Sequence, residues 1–328
     1  MEKIRSSARS LHDLVICQNA IGIQLQGRLG NQLFQYAASR SLAERLGSPL
    51  IIAGYTLSRR FGLLGRLLGL REARPGSGGQ QNGVLREAFG LGPTFLAGRL
   101  LELAMPYLCK SVFRRTFTPK KVWLNRTESY EAFDEAFFRQ SPGVWLDGWF
   151  QSQDYFAACA DRVRGWFSPD SRLERQVEQR MAEWPAPSDA IVAVHVRRGD
   201  YAGMRGGLAS DGRGWMLPMS YYRRAFASVP GNATVVLFSD DPDWAEREFA
   251  DRRPWVSRNG SAVIDMLSMA RCRWVVAANS SFSWWAAWLN SREDKVVFAP
   301  RYHLGWRVRH WIPGGIEVPG WRYLDAED

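Results

Sequence analysis

Three short polar segments, each expected to follow an apolar strand, carry side chains that could do chemistry. They are His195–Tyr201, Ser239–Asp243 and Asn279–Ser283. Arginine and histidine side chains at one strand end, with hydroxyls and backbone N–H groups at another, are donors that bind phosphate groups. The carboxylates of the middle segment could instead hold a metal ion or a ribose hydroxyl.

The first segment begins His195-Val-Arg-Arg-Gly-Asp200. Because side chains alternate along a strand, His195 and Arg197 are expected to face the same side. Two cations or donors that converge at a strand end suit a phosphate, and an arginine can grip it with two N–H groups. Asp200 could orient one arginine or cap the next turn. We predict a phosphate site here; the alternative is a structural ion pair.

The segment Asn279-Ser-Ser-Phe-Ser283 lies where a strand is expected to become a helix. The exposed N–H groups and the dipole of a helix N-terminus favour anions. Ser280, Ser281 and Ser283 would add three hydroxyl donors. Simple helix capping is the alternative, but capping needs one hydroxyl rather than three. Phosphate binding is therefore favoured.

The segment Ser239-Asp-Asp-Pro-Asp243 contains an Asp-x-Asp pattern, which can hold a divalent metal on a diphosphate. Pro242 suits the first position of a helix, which makes Asp241 its N-cap and Asp243 a dipole-compensating residue. Because this explains both carboxylates without a metal, no metal site is predicted. Asp240 is left to accept hydrogen bonds from a base or a ribose.

A fourth segment, Gly27-Arg-Leu-Gly-Asn-Gln32, follows a strand predicted at Ile21–Gln26 and precedes a helix. Its two glycines allow a tight turn but do not form the G-x-G-x-x-G dinucleotide fingerprint. Arg28 and Asn31 would project polar groups toward a second anion or a sugar. A plain strand–helix turn is the alternative.

The later part of the chain alternates between apolar strands and helices, which is typical of a parallel sheet covered on both faces. The predicted strands are 190–196, 234–238, 274–278 and 296–299, and the predicted helices are 220–228, 242–250, 263–271 and 281–289. Ser220 is predicted to cap the first of these helices. Ligands bind such sheets at the carboxyl ends of the strands, where strand order reverses. The fold class is therefore α/β.

The length of 328 residues favours two lobes rather than one. The stretch Trp184-Pro-Ala-Pro-Ser-Asp189 is the expected boundary, which gives an N-terminal lobe of residues 1–185 and a C-terminal lobe of residues 186–328. Hydrophobic residues at 46% and charged residues at 23% exclude a disordered or fibrous chain.

The formal net charge of +10 is concentrated in residues 1–126, which hold 19 basic and 6 acidic side chains. A basic half suggests an anionic partner, namely nucleotide phosphates, nucleic acid or an acidic membrane. Leu57–Arg74 mixes five arginines with leucines and could lie on the inner membrane surface, although a packed helix is favoured. Nucleic acid is disfavoured because the clustered tryptophans resemble a core. A kinase-type or methyltransferase-type nucleotide site is disfavoured because its glycine-rich motifs are missing.

The first twenty residues contain several charges and no continuous apolar region, so no signal peptide or membrane span is expected. The four cysteines are widely spaced and are expected to be reduced. The predicted location is the cytoplasm, with peripheral contact at the inner leaflet as an option.

Motifs throughout the chain resemble the α-1,2-fucosyltransferase family, glycosyltransferase family 11, and in particular its bacterial branch. The matching stretches are Gly27–Tyr36, Leu146–Phe156, Val194–Tyr201, Tyr221–Tyr222, Phe238–Asp241, Asp265–Ser268 and Ala278–Asn290. They occur in the family's order, and the tryptophan-rich last stretch is especially specific.

This resemblance implies a GT-B-like fold, in which two Rossmann-like lobes flank a cleft. It implies GDP-β-L-fucose as the donor, bound by the C-terminal lobe, and inversion at the fucose anomeric carbon without a metal or other cofactor. The acceptor is expected to be the O2 hydroxyl of a terminal galactose in a glycan or lipid-linked oligosaccharide, on the N-terminal lobe. A different linkage, a different donor or another nucleotide-binding α/β enzyme are the alternatives.

The resemblance also suggests roles for individual residues. Arg197 corresponds to an arginine that binds the β-phosphate, while Arg28 and Asn31 would line the active site. With Asp200 these are the predicted catalytic residues; Asp200 and Asp147 are weak candidates for a general base. The predicted substrate-binding residues are His195, Arg198, Ser239, Asp240, Asp265, Asn279, Ser280, Ser281, Phe282 and Ser283.

Overall fold

The computed structural model describes residues 19–54, 121–125, 132–204, 215–258 and 260–327. The chain divides into two compact units, Met1–Ser168 and Pro169–Asp328. The division lies before helix α3 (Ser171–Ala182), whereas the sequence placed the boundary after that helix, at 185/186. The reason is packing, because α3 lies against helix α7 (Ala262–Met269) of the second unit.

The first unit contains a four-stranded parallel sheet with strand order β2-β1-β4-β3. Its strands are β1 (Ile21–Leu25), β2 (Leu50–Gly54), β3 (Lys121–Asn125) and β4 (Val144–Gly148). Among the described residues of this unit the helices are α1 (Leu29–Arg45) and α2 (Ala160–Trp166), with short 3-10 helices at Glu135–Arg139, Gln153–Tyr155 and Ala157–Cys159.

Helix α1 is central to this unit because both its apolar and its small residues are buried. Leu33, Phe34, Ala37 and Leu42 are all inaccessible to solvent. Gly47 follows the helix with a φ of +59°, a left-handed conformation that favours glycine and ends the helix. The predicted strand–turn–helix unit at the start of the described chain is thus confirmed.

The second unit contains a six-stranded parallel sheet with strand order β10-β9-β8-β5-β6-β7. Its strands are β5 (Ile191–Val196), β6 (Thr234–Ser239), β7 (Trp255–Val256), β8 (Trp274–Val276), β9 (Val296–Pro300) and β10 (Arg322–Leu324). Besides α3 and α7, its helices are α4 (Gly199–Gly203), α5 (Met219–Phe226), α6 (Pro242–Glu248) and α8 (Ser281–Leu289), with a 3-10 helix at Ala250–Arg252.

Strand β5 is buried along its whole length, as expected for an apolar strand with helices on both faces. The α/β class and the two parallel-sheet units expected of a GT-B-like chain are confirmed. One detail was wrong: Pro218 occupies the N-cap position of α5 without a side-chain cap, and Ser220 lies inside the helix. Ser220 instead donates its hydroxyl to the Glu327 carbonyl.

Among the strands that the structure describes, the order reverses once in each sheet. In the second unit the chain runs from β5 outward through β6 to β7, then resumes on the other side of β5 with β8. In the first unit the equivalent point lies between β1 and β4. Each reversal leaves two neighbouring strand ends whose following loops diverge, and such points commonly form ligand sites. No helix in the described part of the chain is long and apolar enough to cross a membrane. Leu57–Arg74 lies outside the described residues.

Candidate active site

Arg197 leaves the carboxyl end of β5 and is held by two carboxylates. Its guanidinium nitrogens lie 2.5 Å from Asp200 Oδ1 and 2.9 Å from Asp240 Oδ2. The side chain is only 12% exposed, and its guanidinium lies 5.2 Å from the centre of the Tyr201 ring. A guanidinium has five N–H donors, so two ion pairs orient it and leave donors for an incoming oxyanion. Of the two roles weighed for Asp200, the structure shows the orienting one.

Asp240 anchors the loop after β5 as well as Arg197. Its Oδ1 accepts hydrogen bonds from the backbone N–H groups of Arg198 at 2.8 Å and Gly199 at 3.2 Å. A methyl group at Gly199 would lie 2.3 Å from Asp240 Oδ2, which is why glycine is required there. From the sequence, Asp240 was predicted to accept hydrogen bonds from a base or ribose. In the structure one of its oxygens binds Arg197 and the other binds backbone N–H groups.

The Asp-x-Asp segment is built as a helix start. Asp241 caps α6 by accepting from the Trp244 N–H at 3.2 Å, and Pro242 occupies the first helical turn, as predicted. Asp241 also forms an ion pair with Arg198, while Asp243 pairs with Arg258 at 2.5 Å. Ser239 Oγ accepts from the Asp241 N–H at 3.0 Å and completes the turn. In the described residues no group of three His, Cys, Asp or Glu side chains is placed to hold a metal.

Helix α8 begins after the carboxyl end of β8, and the serines at its start form different hydrogen bonds. Ser280 caps the helix by accepting from the Phe282 N–H. Ser283 is fully buried, and its hydroxyl accepts from the Ala278 N–H at 3.1 Å, which ties the helix to the strand end. Ser281 alone of the three is half-buried and near the surface. Ser283 therefore cannot be the third hydroxyl donor expected for a phosphate, because its hydroxyl is bonded within the protein.

The carboxyl end of β5 and the helix α4 that follows it contact the segment that begins α8. The His195 and Phe282 rings lie 4.9 Å apart between centroids. The Tyr201 hydroxyl donates to the Asn279 carbonyl at 3.2 Å, and Asn279 Nδ2 donates to the Trp215 carbonyl at 2.8 Å. The sequence analysis did not predict that Tyr201 connects the two segments by this hydrogen bond, although Tyr201 directly follows the motif that contains Arg197.

Asp265 lies in the first turn of α7, which follows β7, so it also belongs to this edge of the sheet. Its Oδ1 accepts from the Ser257 hydroxyl at 2.7 Å. Burial raises the pKa of the carboxyl, and the Ser257 hydrogen bond and the Arg180 charge oppose that rise. A methyl group at Gly260 would lie 2.5 Å from this carboxylate. Asp265 is thus a half-buried acceptor beside close-packed backbone.

His195 is neutral at physiological pH. Complete burial and the neighbouring Arg197 charge lower its pKa to about 3. It can therefore act as a neutral hydrogen-bonding group but not as a phosphate-binding cation, so of the two options for His195, a cation or a donor, the lowered pKa leaves the donor. His303, also buried in the second unit, has a pKa lowered by burial to about 4.

Acidification is expected to destabilise the second unit. Because the folded pKa values of His195 and His303 lie below the ordinary value of about 6.5, the unfolded chain binds protons first as pH falls. At pH 5 each histidine should reduce the free energy of unfolding by about 2 kcal/mol relative to pH 8. Urea unfolding at both pH values measures this. The free energy of unfolding should lose about half of its pH dependence in His303→Gln and keep it in the exposed control His310→Gln. The same pH dependence in wild type and both variants would contradict the lowered pKa of His303.

Arg28 and Asn31 lie in the first unit, at the reversal between β1 and β4. Arg28 is exposed at the N-cap of α1, and Asn31 is half-buried one turn further. Gly27 has a φ of +75°, so the turn before them requires glycine. Asn31 Oδ1 accepts from Gln151 Nε2 at 2.8 Å. Asp147, at the end of β4, accepts from Gln26 Nε2 at 3.3 Å.

A parallel α/β unit with an oriented arginine and a helix N-terminus at its switch point is the arrangement of a nucleotide-dependent enzyme. The family model described as Glycosyl transferase family 11 matches residues 110–307, which include this site. The chain belongs to glycosyl transferase family 11, and the protein is a glycosyltransferase.

Two curated proteins of Escherichia coli are similar over most of the chain. O-antigen biosynthesis glycosyltransferase WbnK is 29% identical, covering 84% of this chain and 92% of its own length. Alpha-1,2-colitosyltransferase is 24% identical, covering 84% and 90%. The fucosyltransferase NodZ from Bradyrhizobium, a solved structure, aligns with a TM-score of 0.43 at 18% identity, covering 82% and 92%.

Proposed function

We propose that this protein is an inverting, metal-independent fucosyltransferase that moves L-fucose from GDP-β-L-fucose to O2 of a terminal galactose in a glycan acceptor. The observation that carries the proposal is the Arg197 guanidinium held by two carboxylates directly after β5, the strand whose His195 contacts Phe282 in the first turn of α8, in a family 11 chain. In this mechanism the acceptor oxygen forms a bond to C1 of fucose and releases its proton to solvent. The bond between C1 and the β-phosphate oxygen breaks as GDP departs, so negative charge grows on that oxygen.

Arg197 would stabilise that charge because its guanidinium is already oriented before the donor arrives. Asp200 and Asp240 fix its position, so little reorganisation is needed when the leaving group becomes negative. The N-terminus of α8 would contribute its dipole and N–H groups to the same oxyanion. Mutations of comparable donors cost ~3–4 kcal/mol of transition-state stabilisation. Arg198, paired with Asp241, would contribute less directly.

Guanine recognition is best supported at Asp265. A carboxylate offers two acceptor oxygens, which suit the adjacent N1–H and N2–H₂ donors of guanine, whereas adenine presents an acceptor at N1. The half-burial of Asp265 would strengthen such hydrogen bonds by excluding water. His195, buried and neutral, would add a hydrogen-bonding group without adding charge.

The relatives support the transfer of a sugar to a surface polysaccharide. Galactoside alpha-(1,2)-fucosyltransferase 1 of the pig is 22% identical over 46% of this chain and 44% of its own length. The colitosyltransferase relative favours a second candidate, in which the same site transfers colitose in the same linkage. We place the reaction in the cytoplasm, where the acceptor would be a lipid-linked oligosaccharide at the inner membrane leaflet.

A donor and acceptor array tests the proposed function. The purified protein is incubated with GDP-fucose, a colitosyl donor or GDP-mannose, together with acceptors that end in β-galactose or in other sugars. We expect transfer from GDP-fucose to β-galactosides, with an α-1,2 linkage in the product by NMR. Transfer from the colitosyl donor alone would support the second candidate, and transfer of neither sugar would contradict both.

Chelation is expected to leave activity unchanged. The carboxylates of Asp240, Asp241 and Asp243 each pair with an arginine, so charge on the leaving group would be balanced by protein donors rather than by a divalent ion. Initial rates are compared with and without EDTA. A large loss that Mn²⁺ restores would show that the Asp-x-Asp segment binds a metal.

A further inference from the structure

The sheet of the second unit separates between β5 and β8, the two strands that lead to the candidate site. These strands pair as far as Val194 and Val276, and the described sheet has no pairing between them beyond that point. From there β5 leads to Arg197, and β8 leads to Ser280, the N-cap of α8. The distance between Arg197 and the start of α8 therefore depends on whatever holds the two strand ends.

Two adjacent tyrosines of α5 bind the first residue beyond that last pair on each strand. The Tyr221 hydroxyl donates to the Ala277 carbonyl at 2.6 Å and lies 3.3 Å from the Phe298 carbonyl of β9. The Tyr222 hydroxyl donates to the His195 carbonyl at 3.4 Å. Because a backbone carbonyl can only accept, the direction of each bond is unambiguous. Helix α5 thus bridges the two strands where their own pairing ends.

The hydroxyl groups, rather than the rings, distinguish this arrangement from ordinary core packing. Both side chains are buried and pack with their ring centroids 5.0 Å apart, which phenylalanine could do equally well. A buried hydroxyl costs free energy unless it is hydrogen-bonded. Burial raises the pKa of both tyrosines, and the charge of Asp240 adds to the rise at Tyr222, so both hydroxyls keep the proton that they donate. Asp240 is also a carboxylate that binds Arg197.

We propose that Tyr221 and Tyr222 are positioning residues that hold the ends of β5 and β8 at the spacing at which Arg197 and the N-terminus of α8 act on one diphosphate. This inference rests on the proposed function. Arg197 lies two residues after the carbonyl that Tyr222 binds, and Ser280 lies three residues after the one that Tyr221 binds. Neither tyrosine needs to touch the substrate.

The substitutions Tyr221→Phe and Tyr222→Phe each remove one hydroxyl and keep the ring. Titration calorimetry with GDP and GMP, which differ by the β-phosphate, measures the effect. We expect the preference for GDP over GMP to fall about threefold or more in Tyr221→Phe. The loss should be smaller in Tyr222→Phe, because its hydrogen bond is longer. The affinity for GMP should change little in both variants.

Tyr323→Phe is the matched control for a purely structural role. The Tyr323 hydroxyl also contacts backbone, at the N–H and carbonyl of Val318, but it lies on β10, three strands from β5. This variant should have a lower melting temperature and an unchanged preference for GDP.

The same ratio of GDP to GMP affinity in wild type, Tyr221→Phe and Tyr222→Phe would overturn the positioning role, whatever the melting temperatures. If Tyr221→Phe does not fold, the comparison of Tyr222→Phe with the control decides. A wild type without any preference for GDP would instead contradict the proposed function on which this inference rests.

Discussion

Replacing Arg197 with alanine is expected to lower kcat/KM for fucose transfer by roughly 10²–10³-fold, because the departing diphosphate loses its oriented cation. Arg197→Lys should recover only a small part of the loss. Lysine keeps the charge but cannot bind Asp200, Asp240 and a phosphate through one planar group. Steady-state kinetics with GDP-fucose and a β-galactoside measure both variants.

Stability has to be followed in the same experiment. Removing Arg197 leaves Asp200 and Asp240 without their shared cation, so a lower melting temperature is expected in addition to the lost activity. Rates should therefore be measured well below the melting temperature. Arg223→Ala, an exposed position on α5, is the control for removing an arginine from the same unit. Near-normal turnover in Arg197→Ala would show that Arg197 does not stabilise the departing diphosphate.

Gly199→Ala is expected to cause the second large loss, although it adds only a methyl group. That group would lie 2.3 Å from Asp240 Oδ2, the oxygen that binds Arg197. Asp240 would have to move, which would release the guanidinium and weaken the hydrogen bonds from the loop after β5. We expect kcat to fall at least about tenfold and stability to fall by about 1–3 kcal/mol.

The matched control lies in the same short helix. A methyl group at Gly203 would meet no atom within 4 Å, so Gly203→Ala should retain wild-type kinetics and melting temperature. Chemical unfolding and initial rates of both variants provide the comparison. If Gly199→Ala behaved like Gly203→Ala, Asp240 would not hold the loop as the structure shows.

Local patterns were sufficient to predict which strand ends lie together in the second unit. Apolar, β-branched runs ended at His195, Ser239 and Asn279, and the parallel-sheet rule brought those strand ends to one edge. The helix start at Asp241 and Pro242 was predicted correctly because capping depends on adjacent residues.

Long-range pairing could not be predicted in the same way. No local pattern shows that the loop after β5 binds the loop after β6. Arg198 and Asp241 are 43 positions apart in the sequence, and the two loops meet only because β5 pairs with β6. Ser283 was predicted to bind phosphate because the sequence shows its hydroxyl but does not show that the side chain is buried. The expected boundary at 185/186 differs from the division after Ser168 because α3 packs on α7 of the second unit, a contact that the proline-rich stretch does not reveal. The roles of Arg28 and Asn31 stay predictions.

Calorimetric titration of GDP and GMP into wild type and Arg197→Ala tests most directly whether Arg197 binds the diphosphate. The two nucleotides differ by the β-phosphate alone. We predict that wild type binds GDP more tightly than GMP, and that Arg197→Ala loses most of that preference while it still binds GMP. An unchanged ratio of GDP to GMP affinity in the variant would contradict the account.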